Sequence, residues 1–103
     1  MADRLTRYDL EALPGGALIR QGLADLEAGR QSIAALLIDI ARPRLTELGV
    51  VSPSAPPPVA EPERELYQLL RAEGGDAYAR YNSLLRELTS FQSALIRVRG
   101  SAG

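Results

Sequence analysis

The 103-residue chain has no histidine, no cysteine, no lysine and no tryptophan. The missing histidine removes the commonest general base at neutral pH and the commonest metal ligand. With it go Ser-His-Asp and Cys-His nucleophile systems, the HExxH zinc motif and the Glu-x-x-His pair of di-iron bundles. The missing cysteine excludes a disulfide framework and thiolate chemistry. Long hydrophobic runs are also missing. The longest strictly apolar stretch is Ile33 to Ile38, closed by Asp39, and six residues cannot span a bilayer. The opening residues, MADRLTRYDL, mix acids with arginines and lack the apolar core of a signal peptide. These features lead us to expect a cytoplasmic protein with no membrane segment.

All 12 basic residues are arginine, and the net charge is -1. Guanidinium forks suit phosphate and carboxylate recognition, but a GC-rich bacterial genome accounts equally for arginine alongside abundant Ala, Gly and Pro. The charge balance favours the second account, because nucleic-acid-binding domains usually carry a clear positive excess. Apolar residues make up 46% and charged residues 24%, which is ordinary usage for a folded domain. One domain is expected at this length, burying roughly two-thirds of its unfolded surface.

No sustained alternation of apolar and polar residues marks a strand, whereas helical spacing recurs. A first helix is expected from about Asp3 to Leu13. Asp3 is its candidate cap, Leu5, Tyr8, Ala12 and Leu13 its apolar face, and Pro14-Gly15-Gly16 its stop. A second runs from about Ala17 to Ala28 on the stripe Ile19, Leu23 and Leu26, with Gly29 at the usual left-handed terminator position. A third opens after Ser32, a good N-cap. It carries two apolar stripes: Ile33, Leu36, Leu37, Ile40 and, beside it, Ala34, Ile38, Ala41, Leu45. A helix apolar over most of its circumference is central or lies at an interface. Pro43 predicts a kink or restart before the pattern ends at Gly49. A competing reading runs one helix from Ala17 to Arg42, since the 4-3 spacing continues through Gly29. Gly29 and Ser32 together favour the break.

Residues 50–62, VVSPSAPPPVAEP, hold five of the seven prolines. Extended polyproline II of thirteen residues reaches roughly 40 Å, enough to return along the length of a helix. Pro53-Ser-Ala-Pro56 matches a PxxP ligand pattern but has no flanking arginine, so it reads as a spacer. A fourth helix starts at Pro62 with Glu63 and Glu65 in its first turn and Leu66, Leu69 and Leu70 on its face. Gly74-Gly75 stop it, and Asp76 is positioned to cap a fifth. The fifth carries Ala77, Tyr81, Leu84, Leu88, Phe91, Leu95 and Val98 at unbroken 4-3 spacing, and is expected to end at about Arg99, before Gly100. Asp76 and Arg80 are placed to pair at i,i+4.

The stretch EAGRQS, at positions 27–32, raises the possibility of a DNA-reading helix-turn-helix. That motif needs a small residue four before the turn glycine and an apolar one after it, where this chain has Asp25 and Arg30. Its second helix must also offer polar side chains to a groove. The helix after Ser32 offers one Ser, one Asp and one Arg among aliphatics, so the stretch reads as a bundle corner. Gly15-Gly16 and Gly74-Gly75 lack the Lys-Ser/Thr of a phosphate loop and read as turns. No cofactor or metal site is expected.

Asp25 with Glu27, Asp39, and Glu63 with Glu65 are the carboxylates available for acid-base work. Residues two apart on a helix do not face each other. Asp39 interrupts the most apolar run, either as a buried proton-transfer group or as part of a polar strip beside Arg42; the strip is the simpler reading. Tyr78, Arg80, Tyr81 and Asn82 form the one aromatic-polar cluster. Tyr81 falls on the core stripe, which leaves Tyr78 and Arg80 as interface candidates. Ile38 and Leu45 on the second stripe of the third helix, and Leu85 and Ile96 beside the stripe of the fifth, complete that set.

The sequence thus predicts an all-α, small bundle of four to five helices. Residues 1–49 and 62–100 form two helical halves joined by an extended Pro-rich spacer, with the third and fifth helices supplying most of the core. The functional expectation is a non-enzymatic interaction module, most simply a homo-oligomer, or else a small adaptor, regulatory subunit or antitoxin-like partner of another protein. The alternative is a nucleic-acid-associated regulator using arginines at helix ends.

Overall fold

A computed structural model describes residues 10–102. Asp3, Leu5 and Tyr8 lie outside the described residues, so of the first expected helix only the single turn Leu10–Ala12 is seen. Five helices follow: α1 (Gly16–Glu27), α2 (Ile33–Ile40), α3 (Arg42–Glu47), α4 (Pro62–Glu73) and α5 (Ala77–Ala102). There is no strand among the described residues. The chain is an all-α bundle, and its two helical halves are joined by the Pro-rich segment.

The corner between α1 and α2 is a break. Gly29 has φ +77°, a left-handed conformation that side chains with a Cβ disfavour. The Gly29 amide donates to the Leu26 carbonyl and the Arg30 amide to the Asp25 carbonyl, the paired closing bonds of a Schellman terminus. Ser32 then caps α2, its hydroxyl oxygen accepting from the Ala35 amide at 3.1 Å. The continuous 4-3 spacing across Gly29 therefore reflects two helices that each bury an apolar stripe, not one long helix. The restart at Pro43 is also present. α2 ends at Ile40, and α3 begins at Arg42 with Pro43 in its first turn, where its missing N–H costs nothing.

α2 is the centre of the molecule. Ala34 through Asp39 are all buried, enclosed by α1 and α4, with α5 touching more lightly. α1 approaches so closely that a Cβ on Gly22 would lie 2.4 Å from the Ala34 carbonyl oxygen. Leu66 and Leu70 of α4 are fully buried. The spacer is long enough to carry the chain back so that α4 covers the side of α2 left open by α1.

α5 sets the length of the molecule: 26 residues at 1.5 Å each give about 39 Å, against a longest dimension of 42 Å. Its predicted stripe is its inner face. Ala77, Leu88, Phe91 and Leu95 are buried, and Tyr81, Leu84 and Val98 are half-buried. Asp76 caps it through the Ala79 amide at 3.0 Å. Two expectations need correction. The helix continues through Gly100 to Ala102, because one glycine costs a helix only about 1 kcal/mol relative to alanine. Arg80 pairs with Glu73 at 2.8 Å and not with Asp76, whose Oδ1 is engaged by the α5 cap.

Candidate interaction surfaces

The six expected interface residues separate into two groups. Ile38 and Leu45 have no exposed surface. They belong to the core of the chain itself, since the second stripe of the α2–α3 segment is covered from within, and neither can meet a partner. The other four lie on α5. Tyr78 is 67% exposed and Ile96 45%, Leu85 is half-buried, and Arg80 is exposed and held by Glu73. Tyr78, Leu85 and Ile96 are spaced seven and eleven residues apart, close to two and three whole helical turns. They therefore line one side of α5, about a quarter-turn from its buried stripe. Asn82, Thr89 and Gln92 fall between them on the same side. Arg80 lies on another side of the helix and does not join this row.

Two buried carboxylates organise polar networks. Asp25, at the end of α1, accepts from the Ser32 hydroxyl at 2.7 Å. It also accepts from the Gln21 side-chain amide at 3.0 Å and from Arg30 Nε and Nη2 at 3.2 and 3.0 Å. The Ser32 hydroxyl, then the Gln21 amide and the Arg30 guanidinium, hold its carboxyl below the ordinary aspartate value against the opposing effect of burial. Asp25 is a structural tie across the corner, with Glu27 exposed and apart from it. Its partners at positions 30 and 32 lie on the far side of a turn, beyond the reach of helical spacing, so sequence reasoning missed them.

Asp39 is the polar-strip residue that its spacing suggested. It accepts from Arg42 at 3.2 Å, and both side chains are largely enclosed. The unforeseen part is their second set of partners. Asp39 Oδ2 accepts from the Val59 backbone amide at 3.3 Å, and Arg42 Nη2 donates to the Pro56 carbonyl. The Pro-rich segment is thus strapped onto α2. The Val59 N–H, like any enclosed backbone donor, needs an acceptor, but nothing in the sequence says that Asp39, twenty residues earlier, supplies it.

Tyr67 of α4 and Tyr81 of α5 meet edge to face, their ring centroids 5.8 Å apart at 79°. Burial, with the Glu63 carboxylate adding to it, pushes the Tyr81 phenol above its ordinary value. Glu63 is exposed, and Glu65 is half-buried and accepts from the Gln31 side-chain amide at 3.2 Å. At the other end of α1, a Cβ on Gly15 would lie 2.9 Å from the Glu87 carbonyl oxygen, so this glycine pair is a packed turn.

The buried state of α2 excludes it as a groove-reading helix, because the residues that would face bases are enclosed by α1 and α4. No helix among the described residues is long and apolar enough to cross a membrane. No family model, curated protein or solved structure matches this chain.

Proposed function

We propose that the chain is a non-enzymatic interaction module that self-associates through the outer side of α5, most simply as a homodimer in the cytoplasm. The observation that carries this reading is the row Tyr78, Leu85 and Ile96 on a helix whose buried stripe, a quarter-turn away, is already covered. Tyrosine in particular is enriched at interface anchors. The wider expectation of surplus apolar surface on the third helix no longer contributes, since that surface is consumed inside the chain.

The row suits a second copy. With Asn82, Thr89 and Gln92 it makes a seam spaced 4, 3, 4, 3, 4, which reads the same in both directions about position 87. An antiparallel copy would set Tyr78 against the partner's Ile96, Asn82 against the partner's Gln92, and Leu85 against the partner's Thr89. Such an isologous pairing is what a two-fold dimer requires. The strip is about 27 Å long and about 10 Å wide, a few hundred Å² on each side. That is below the roughly 800 Å² per partner of a standard stable interface, so the reading implies a dimer that dissociates on dilution. Size exclusion with light scattering across a concentration series tests it; a monomer at every concentration removes it.

A further inference from the structure

The strap is held by an arrangement that reads peptide backbone. Asp39 and Arg42 sit one turn apart on the same side of the α2–α3 junction, about 4.5 Å along the axis. One offers a carboxylate oxygen and the other a guanidinium. Between them they take the Pro56 carbonyl and the Val59 amide, the two ends of a stretch of proline. In a polyproline II chain these groups lie about 6 Å apart, a span that the long arginine side chain bridges. Pro56 to Pro58 have no N–H, so Val59 supplies the only backbone donor of the four residues, and Asp39 accepts from it.

The surroundings fit the same ligand. Beside the clamp is a groove lined by Leu26, Ala35 and Leu36 from the helices and by Pro56, Pro57 and Val59 from the strap. The Asp39 and Arg42 side chains are largely withdrawn from solvent even though they belong to the most apolar part of the sequence. Their charge is matched pairwise, leaving one acceptor and one donor directed at the strap.

We infer that the Asp39–Arg42 groove is a binding site for an extended proline-rich peptide of another protein, filled in the resting chain by its own residues 56–59. The site takes a carbonyl and, three residues later, a free N–H; proline between them holds the extended backbone that sets this spacing. It lies away from the α5 row and does not depend on self-association through it. The strap is a resident competitor, so an outside peptide enters only when the strap lifts.

The test uses the whole chain and, as probe, a synthetic peptide of residues 53–60. In the unmodified protein the Val59 amide should exchange with solvent at least tenfold more slowly than the Ala60 amide, and the peptide should cause no shifts in NMR spectra. Val59→Pro deletes the N–H while keeping the extended backbone. This variant should stay helical by circular dichroism and show saturable shifts at Asp39–Arg42 with the peptide. A peptide with proline at the position of Val59 should bind at least tenfold more weakly. If Val59→Pro does not fold, replacing Pro56–Pro58 by Ser-Gly-Ser keeps the clamped groups but raises the entropic cost of holding the strap, which shifts it toward release. A folded, released variant that ignores millimolar peptide overturns the inference. So does equal binding by the unmodified chain, a Val59 amide as labile as that of Ala60, or a released variant that exchanges spacers with a second copy instead of taking peptide.

Discussion

The Ser32 hydroxyl stands 2.7 Å from Asp25, so the residue that caps α2 is also the residue that ties it to α1. Ser32 accepts from Ala35 and donates to Asp25, and one side chain thereby fixes both the start of a helix and its angle to the preceding one. The tie adds to the backbone bonds of Gly29 and Arg30 that close the corner.

This tie makes stability sensitive to acid. The folded chain holds the Asp25 carboxyl below its ordinary value, so as pH falls the unfolded chain takes up a proton first. The contribution of Asp25 is complete above about pH 4, the unperturbed aspartate value, and is lost as pH falls through the lower folded value. Asp25→Asn should lower the denaturation midpoint at neutral pH and reduce the difference between neutral and acid midpoints. An unchanged acid limb in urea titrations at several pH values would contradict the assignment.

Tyr81 gives the opposite limb. Its phenol is raised in the folded state, so its contribution is complete below about pH 10 and is lost as pH rises from there through the folded value. Tyr81→Phe keeps the ring against Tyr67 and should flatten the loss of stability in alkali while changing little at pH 7. Thermal melts of both proteins between neutral and strongly alkaline pH check this. Parallel curves would show that the phenol is not the group responsible.

Two glycines separate steric from conformational cost. At Gly22 alanine would gain about 1 kcal/mol of helix propensity. The added carbon, however, would meet the Ala34 carbonyl at 2.4 Å and Ile38 Cγ1 at 2.7 Å. Forcing α1 and α2 apart costs typically 1–3 kcal/mol, so Gly22→Ala should destabilise despite the propensity gain. At Gly29 nothing stands within 4 Å, and alanine pays only for its left-handed backbone, about 1–2 kcal/mol. Combining Gly22→Ala with Ala34→Gly should not restore stability, since the nearest clash is with backbone, and neither should adding Ile38→Val, which removes Cδ1 but leaves the clashing Cγ1. Chemical denaturation of the four proteins decides.

The inner and outer faces of α5 should respond very differently. Phe91 is fully buried, and its truncation to alanine is expected to cost about 3–5 kcal/mol. Tyr78 is mostly exposed, and Tyr78→Ala should change monomer stability by no more than about 0.5 kcal/mol. Equal losses for the two would mean that α5 is rotated relative to this account.

Much of this architecture was legible because its signals are local. The α5 stripe from Ala77 to Val98, the Gly29–Ser32 corner and the Pro43 restart each depend on residues within one or two turns of one another. What escaped the sequence depends on where the spacer delivers the chain. Ile38 and Leu45 read as surplus because nothing in their neighbourhood says what covers them: α1 comes up against Ile38 at Gly22, and the chain folds back after α3 so that the Val50 and Val51 amides reach the Leu45 carbonyl. Asp25 read as half of an ill-placed carboxylate pair because its real partners lie across the turn. Asp39 and Arg42 were rightly paired, but the strap that they hold is twenty residues away from Asp39 in sequence and visible only in the folded chain.

The most direct test of the functional reading is mass in solution. Light scattering on eluting peaks should be recorded over a wide dilution series for the unmodified chain and for Tyr78→Ser combined with Ile96→Ser. The account predicts a dimer at high concentration that falls to monomer on dilution, and a double variant of unchanged helicity that stays monomeric throughout. A chain that is monomeric at every concentration, or a double variant that associates as strongly as the original, would contradict it.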